Sequence, residues 1–132
     1  MKKRFLLLLA LPAVLLLVAP AFGAGLNVTR PAGDLKVNFT MDQTPAAGRN
    51  TATVRLTDKS GKPVTGALVR VYWMMPPMGS MARMEGHADA ARSGSEYHAV
   101  MNLETSGTWH IMVKVKRAGR LLPPARFDII AR

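Results

Sequence analysis

From Leu35 onward the chain alternates between apolar and polar residues. Leu35, Val37, Phe39 and Met41 are separated by Lys36, Asn38 and Thr40, the period of a strand with one buried face. The same period returns in Ala52, Val54 and Leu56 against Thr53 and Arg55, and in Val69, Val71 and Trp73 against Arg70 and Tyr72. It returns again in Tyr97, Ala99, Met101 and Leu103 against His98, Val100 and Asn102, and in Trp109, Ile111, Val113 and Val115 against His110, Met112, Lys114 and Lys116. Phe127 to Ile130 makes a last strand, and Pro123-Pro124 keeps the start of that segment out of a regular ladder. Turn residues divide these runs at Pro45 to Asn50, at Asp58-Lys-Ser-Gly61-Lys-Pro63 and at Gly119. Leu26 to Asp34 has little periodicity and reads as a lead-in, and Ala88 to Ser95 as a polar stretch of small residues. No helical period occurs. The pattern predicts an all-β fold, an antiparallel β-sandwich of about seven strands, with a partly open barrel as the alternative.

Two expectations follow from the alternation. Trp73 and Trp109 take inward positions and should anchor the core. Glu104-Thr-Ser-Gly107-Thr has the length of a hairpin connection, so Leu103 should pair with Trp109. In that register His98 lies opposite Lys114 and His110 opposite Asn102. The two imidazoles are then roughly 13 Å apart, too far to share an ion, and read as surface histidines.

Composition changes the reading at the N-terminus. Lys2, Lys3 and Arg4 precede an uncharged, leucine-rich run from Phe5 to Phe22, followed by small residues around Ala21 and Gly23. That layout is a secretory signal peptide over residues 1–23, with residues 24–132 as the exported domain and the periplasm as its compartment. The competing reading is an uncleaved membrane anchor, since the run has about the minimum spanning length; Pro12, Pro20 and the small-residue end favour cleavage. Cleavage leaves roughly 109 residues and lowers the net charge from +10 to about +7, as three of the eighteen basic residues leave and all eight acids stay. Nucleic acid is the usual partner of a basic chain, but export and the scatter of Arg49, Arg55, Lys59, Lys62, Lys114 and Lys116 argue against it. There is no cysteine, hence no disulfide and no thiolate ligand; the domain relies on its core.

Candidate chemistry concentrates between Trp73 and His87. Met75, Met78, Met81 and Met84 recur at every third position, His87 continues the spacing, and Met74 adds a fifth of the chain's nine methionines. Pro76, Pro77 and Gly79 exclude a helix, so the spacing is not a helical core stripe. Thioethers are neutral and soft, and three or four with one imidazole suit Cu(I) over Zn(II) or Mg(II). Met78, Met81, Met84 and His87 are the expected ligands, with Met75 or Met74 as a further donor. Methionines also fill core gaps and cover apolar contact surfaces, and Met75 continues the buried face of Val71 and Trp73. Glu85, His87 and Asp89 would share one side of an extended run and could suit a borderline divalent ion. The Gly-rich phosphate loop, the Gly-x-Ser-x-Gly elbow and the His-Glu-x-x-His motif are missing, so no reaction class is suggested and the chain reads as a non-enzyme.

Gly61-Lys-Pro63-Val64-Thr-Gly66-Ala67, a hydrophobic strand, Met75-Pro76-Pro-Met78-Gly79, then Tyr97 and Gly107-Thr-Trp109 follow one another in an order that resembles YtkA-like and FixH-like domains. The resemblance spans about Leu35 to Ile130. It implies an immunoglobulin-like sandwich outside the cytoplasmic membrane, associated with copper handling and the assembly of copper-containing oxidases. FixH-like members are membrane-anchored, whereas the leader here reads as cleaved. The expectation is a periplasmic Cu(I)-binding accessory protein with a copper-efflux or cuproprotein partner. The rivals are a non-metal envelope interaction module and a membrane-anchored assembly factor.

Overall fold

The structure is a computed structural model that describes residues 25–132. The expected signal peptide lies outside the described residues. The first strand, β1 (Leu26–Ala32), pairs with β2 (Leu35–Met41), and β3 (Gly48–Thr57) follows; β4 (Leu68–Met75) and β5 (Met84–Asp89) form a hairpin, and β6 (Ala91–Ser93) is a short edge. Next come β7 (Glu96–Leu103), β8 (Gly107–Arg117), the two-residue β9 (Arg120–Leu121) and β10 (Ala125–Ala131). Seven of these strands have seven or more residues. All pairings are antiparallel and assemble two sheets, one in the order β1-β2-β3-β7-β6 and the other β10-β8-β4-β5, with β9 paired to β8. The fold is a β-sandwich. With β2 taken as strand A, the two orders reproduce the A-B-E-D and G-F-C-C′ sheets of an immunoglobulin sandwich.

Alternation decides what is buried. Val37, Phe39, Val54, Leu56, Ala99, Met101 and Leu103 of the first sheet meet Val71, Trp73, Trp109, Ile111, Val113 and Ile129 of the second, each less than a tenth exposed. Both tryptophans are core anchors as expected, Trp109 fully enclosed and Trp73 on the strand that carries the buried tryptophan of immunoglobulin domains. The buried polar groups are satisfied. Asn50 bonds the backbone of Ala46 and Gly48, and Tyr97 donates its hydroxyl to the Val64 carbonyl while accepting from the Ala67 amide.

Three local expectations are corrected. Leu26 to Ala32 is not a lead-in; it pairs along its whole length with β2, and Pro31 is tolerated because this is an edge strand. Ala88 to Ser95, read only as a polar stretch of small residues, holds the end of β5, a crossing at Ala90, and β6; the Ala90 amide is held by the Val69 carbonyl at 2.9 Å. The third correction concerns β7 and β8, which are not a hairpin. They belong to opposite sheets, so Leu103 pairs with Gly48, and Trp109 with Ile129 and not with Leu103. The connection arches over the end of the core. Trp109 fastens it by donating its indole N–H to the Thr105 carbonyl at 3.0 Å. Gly107, at φ +123°, opens β8 where an added Cβ would stand 3.0 Å from the Met75 methyl.

Candidate functional site

The methionine stretch is the β4–β5 hairpin. Met78 and Met81 exchange two backbone hydrogen bonds, 3.1 and 2.8 Å, around Gly79-Ser80. Gly79 has φ +55° and Ser80 has no positive φ, the geometry of a type II′ turn whose first central position favours glycine. At this tip both side chains are open to solvent, 54 % and 44 % exposed.

Below the tip the donors part. Met75 and Met84 are directly paired, and both face inward: Met75 is buried, Met84 half-buried against the core. His87 lies three residues beyond Met84 on the same strand, an odd number, so it points to the opposite face. There it stands beside Tyr72, ring centroids 5.5 Å apart. The structure therefore brings Met78 and Met81 together, keeps Met75 and Met84 in or against the core, and separates His87 from all four. Glu85, His87 and Asp89 do share one outer face, as alternation requires. Each carboxylate has a cationic neighbour, Arg83 at 3.0 Å for Glu85 and Arg70 for Asp89. The Arg70 guanidinium holds the Asp89 carboxyl below the usual carboxylate range. Among the described residues no group of three or more His, Asp or Glu could hold a metal ion.

His98 and His110 both face outward, on opposite sheets. His98 contacts the Thr53 hydroxyl at 3.2 Å and Glu96 at 3.3 Å. His110 lies at the centre of the second sheet's outer face, which the sequence reading did not single out as a site. One row across the strands is Glu85, Met74, His110 and Asp128; the next is His87, Tyr72, Met112 and Arg126. These two rows floor a cleft of about 600 Å³. Met74, Tyr72 and Met112 are half-buried along it. Lys114 places its ammonium 4.6 Å from the Tyr72 ring centre. The Nδ1 of His110 meets a carboxylate oxygen of Asp128 at 2.6 Å. An ionised carboxylate can only accept, so Nδ1 carries a proton, and in the neutral tautomer Nε2 is the nitrogen that holds the lone pair. The sequence signal for this face was available, since His110 and Met112 are two apart on one strand. The missing piece was the register that sets Met74 beside them.

A sequence model of the YtkA-like family matches residues 29–114, most of the described chain. No curated protein matches it.

Proposed function

The chain belongs to the YtkA-like family, and on that premise we propose that it is an exported Cu(I)-binding accessory protein of the cell envelope. It takes up the ion at the methionine hairpin and passes it to a copper-efflux or cuproprotein partner. The observation that supports this reading is the tip of the β4–β5 hairpin. Two thioethers that could have been buried are held next to each other in solvent by a II′ turn with its own pair of backbone hydrogen bonds. Thioether sulfur binds without losing a proton and favours Cu(I) over harder ions. A turn fixed at its base leaves the side chains, with three rotatable bonds each, free to close on an ion and to release it. The tip reading draws on Met78 and Met81, since Met75 is buried and His87 lies on the opposite face of its strand from Met84.

The test is thermal. Under reducing conditions a stoichiometric excess of Cu(I) raises the melting temperature of the mature domain, because a ligand that binds only the folded state adds RT ln(1 + [L]/Kd) to its stability. Met78→Leu with Met81→Leu removes the part of that rise that depends on the tip. No rise with Cu(I) in the unaltered domain defeats the reading and leaves the exposed methionines as an adaptable apolar contact for an envelope protein.

A further inference from the structure

We propose a second Cu(I) site, on the outer face of the β10-β8-β4-β5 sheet, where Met74, Met112 and Nε2 of His110 hold the ion and Asp128 positions the imidazole. The inference rests on the reading that this chain takes Cu(I), and adds to it a place where the ion is stored away from the exposed tip.

Register brings the three donors together. Met74 and His110 are direct cross-strand partners with both side chains outward, which sets their Cβ atoms about 5 Å apart. Met112 follows His110 by two residues on the same face, about 7 Å along the strand, and lies diagonal to Met74 at about 7–8 Å. Two flexible thioethers and one imidazole at those separations can close on a common point above the sheet. His87 stays outside the set. It is two strands and one row away from His110, roughly 12 Å between Cα atoms, with the Tyr72 ring between.

The imidazole is prepared for a ligand. A metal-binding histidine commonly gives its second N–H to a carboxylate, which fixes the tautomer and the ring plane. His110 does so through Nδ1 to Asp128, the residue directly opposite it on β10, and Nε2 is the nitrogen left to bind. On the other sheet His98 has a contact at each ring nitrogen, from Thr53 and Glu96, and has no methionine beside it in the register.

The charges around the cleft favour a univalent ion. Glu85 and Asp128 are offset by Arg83 and Arg126, which also line it, so there is no acidic field to gather a divalent cation. The thioethers add no charge. Cu(I) bound by neutral sulfur and neutral nitrogen suits that balance, and the half-buried positions of Met74 and Met112 beside Tyr72 keep water from surrounding the ion.

Competitive titration tests the site. Cu(I), kept reduced with ascorbate and presented by a chromophoric chelator, is titrated into the mature domain and two variants. One carries Met78→Leu and Met81→Leu, the other Met74→Leu, Met112→Leu and His110→Gln. The unaltered domain is expected to bind two ions, each variant one, and the face variant to lose the second site by at least about 100-fold. Asp128→Asn should weaken that site about 10–100-fold and Asp128→Glu should restore most of it. If the unaltered domain binds one ion, and the tip variant none, the face site is wrong and the tip reading stands. If one ion remains and only the face variant loses it, the tip is wrong and the face site stands. No binding at all overturns both. The leucine exchanges conserve volume, but the result does not depend on variant folding. In the unaltered domain the 15N resonance of His110 Nε2 must move on adding Cu(I) while His98 stays still, and an unmoved His110 overturns the proposal.

Discussion

On the outer face of the first sheet, Asn38 and Thr40 of β2 lie beside Arg55 and Thr53 of β3, and these lie beside Glu96 and His98 of β7. On the outer face of the second, Tyr72 and Met74 of β4 lie between His87 and Glu85 of β5 and Met112 and His110 of β8. Both faces come from the same alternation over the same core. The first has polar and charged side chains with a single imidazole, His98, the exposed Val100, and one cross-strand ion pair, Arg55 with Glu96. It needs no explanation beyond solubility. The second carries Tyr72, Met74 and Met112 half-buried in a cleft, with the exposed imidazoles of His87 and His110 beside them, and solubility does not ask for that aromatic and thioether grouping. The difference between faces gathers Met74, Met112 and His110 on one surface, which the spacing of methionines along the chain does not.

The largest effect that separates the faces is steric. Gly86 on β5 lies directly opposite Trp73, and an added Cβ would stand 2.5 Å from the indole. Gly86→Ala is expected to cost about 1–3 kcal/mol through overpacking against a side chain that cannot move without disturbing the core. Val100→Ala, on the outer face of the first sheet at a position 44 % exposed, should stay within about 0.5 kcal/mol. Urea midpoints at unchanged slope measure both. Equal costs would mean that β5 does not rest on Trp73 and that the second face has no rigid floor.

A smaller effect tests whether the second face is packed or merely exposed. The Tyr72 ring stands against His87 and below the Lys114 ammonium. Tyr72→Leu should cost about 1 kcal/mol in lost ring contacts. Thr53→Ala, at the matching central place on the first sheet, removes one half-exposed hydrogen bond to His98 and should cost about 0.5 kcal/mol. A Tyr72 variant as stable as the Thr53 variant would remove the contrast in packing.

The sequence made β2, β3, β4, β7, β8 and β10 legible, and with them the inward residues, because a period of two survives any arrangement of strands; β5, β6 and β9 were not read as strands. It did not make sheet membership legible. A short connection such as Glu104 to Ser106 can turn within a sheet or arch between two, and what decides is Trp109 filling the end of the core and bonding Thr105. The candidate site failed to converge for a related reason. A spacing of three looks like one cluster in a loop, but in a strand it changes face at every step. Once Met84 to Asp89 proved to be a strand, Met84 and His87 had to diverge. Met74, His110 and Met112 come from two strands 36 residues apart in sequence, counted from Met74 to His110, so only the register could unite them.

The smallest effect concerns charge, and it separates two carboxylates that are both held below their ordinary range for different reasons. Asp89 lies on the second face, where the Arg70 guanidinium is its hydrogen-bond partner and the first cause of its lowered value. Asp58 follows β3 of the first sheet, where the Ser60 hydroxyl comes first and the amide of Lys62 second. In both, the folded value lies below the unfolded one, so each contributes stability that is fully present above the unfolded value of about 3.9. That contribution is lost as pH falls through the folded value. Both groups are exposed, and the effect is one for carboxyl 13C titration rather than for melting curves. Arg70→Gln should return the Asp89 midpoint toward the ordinary value and leave Asp58 unchanged; Ser60→Ala should do the reverse. If Asp89 holds its low midpoint without Arg70, the ion pair is not what orders the edge of the second face. The strand that carries His87 past Tyr72 would then be held by its backbone ladder alone.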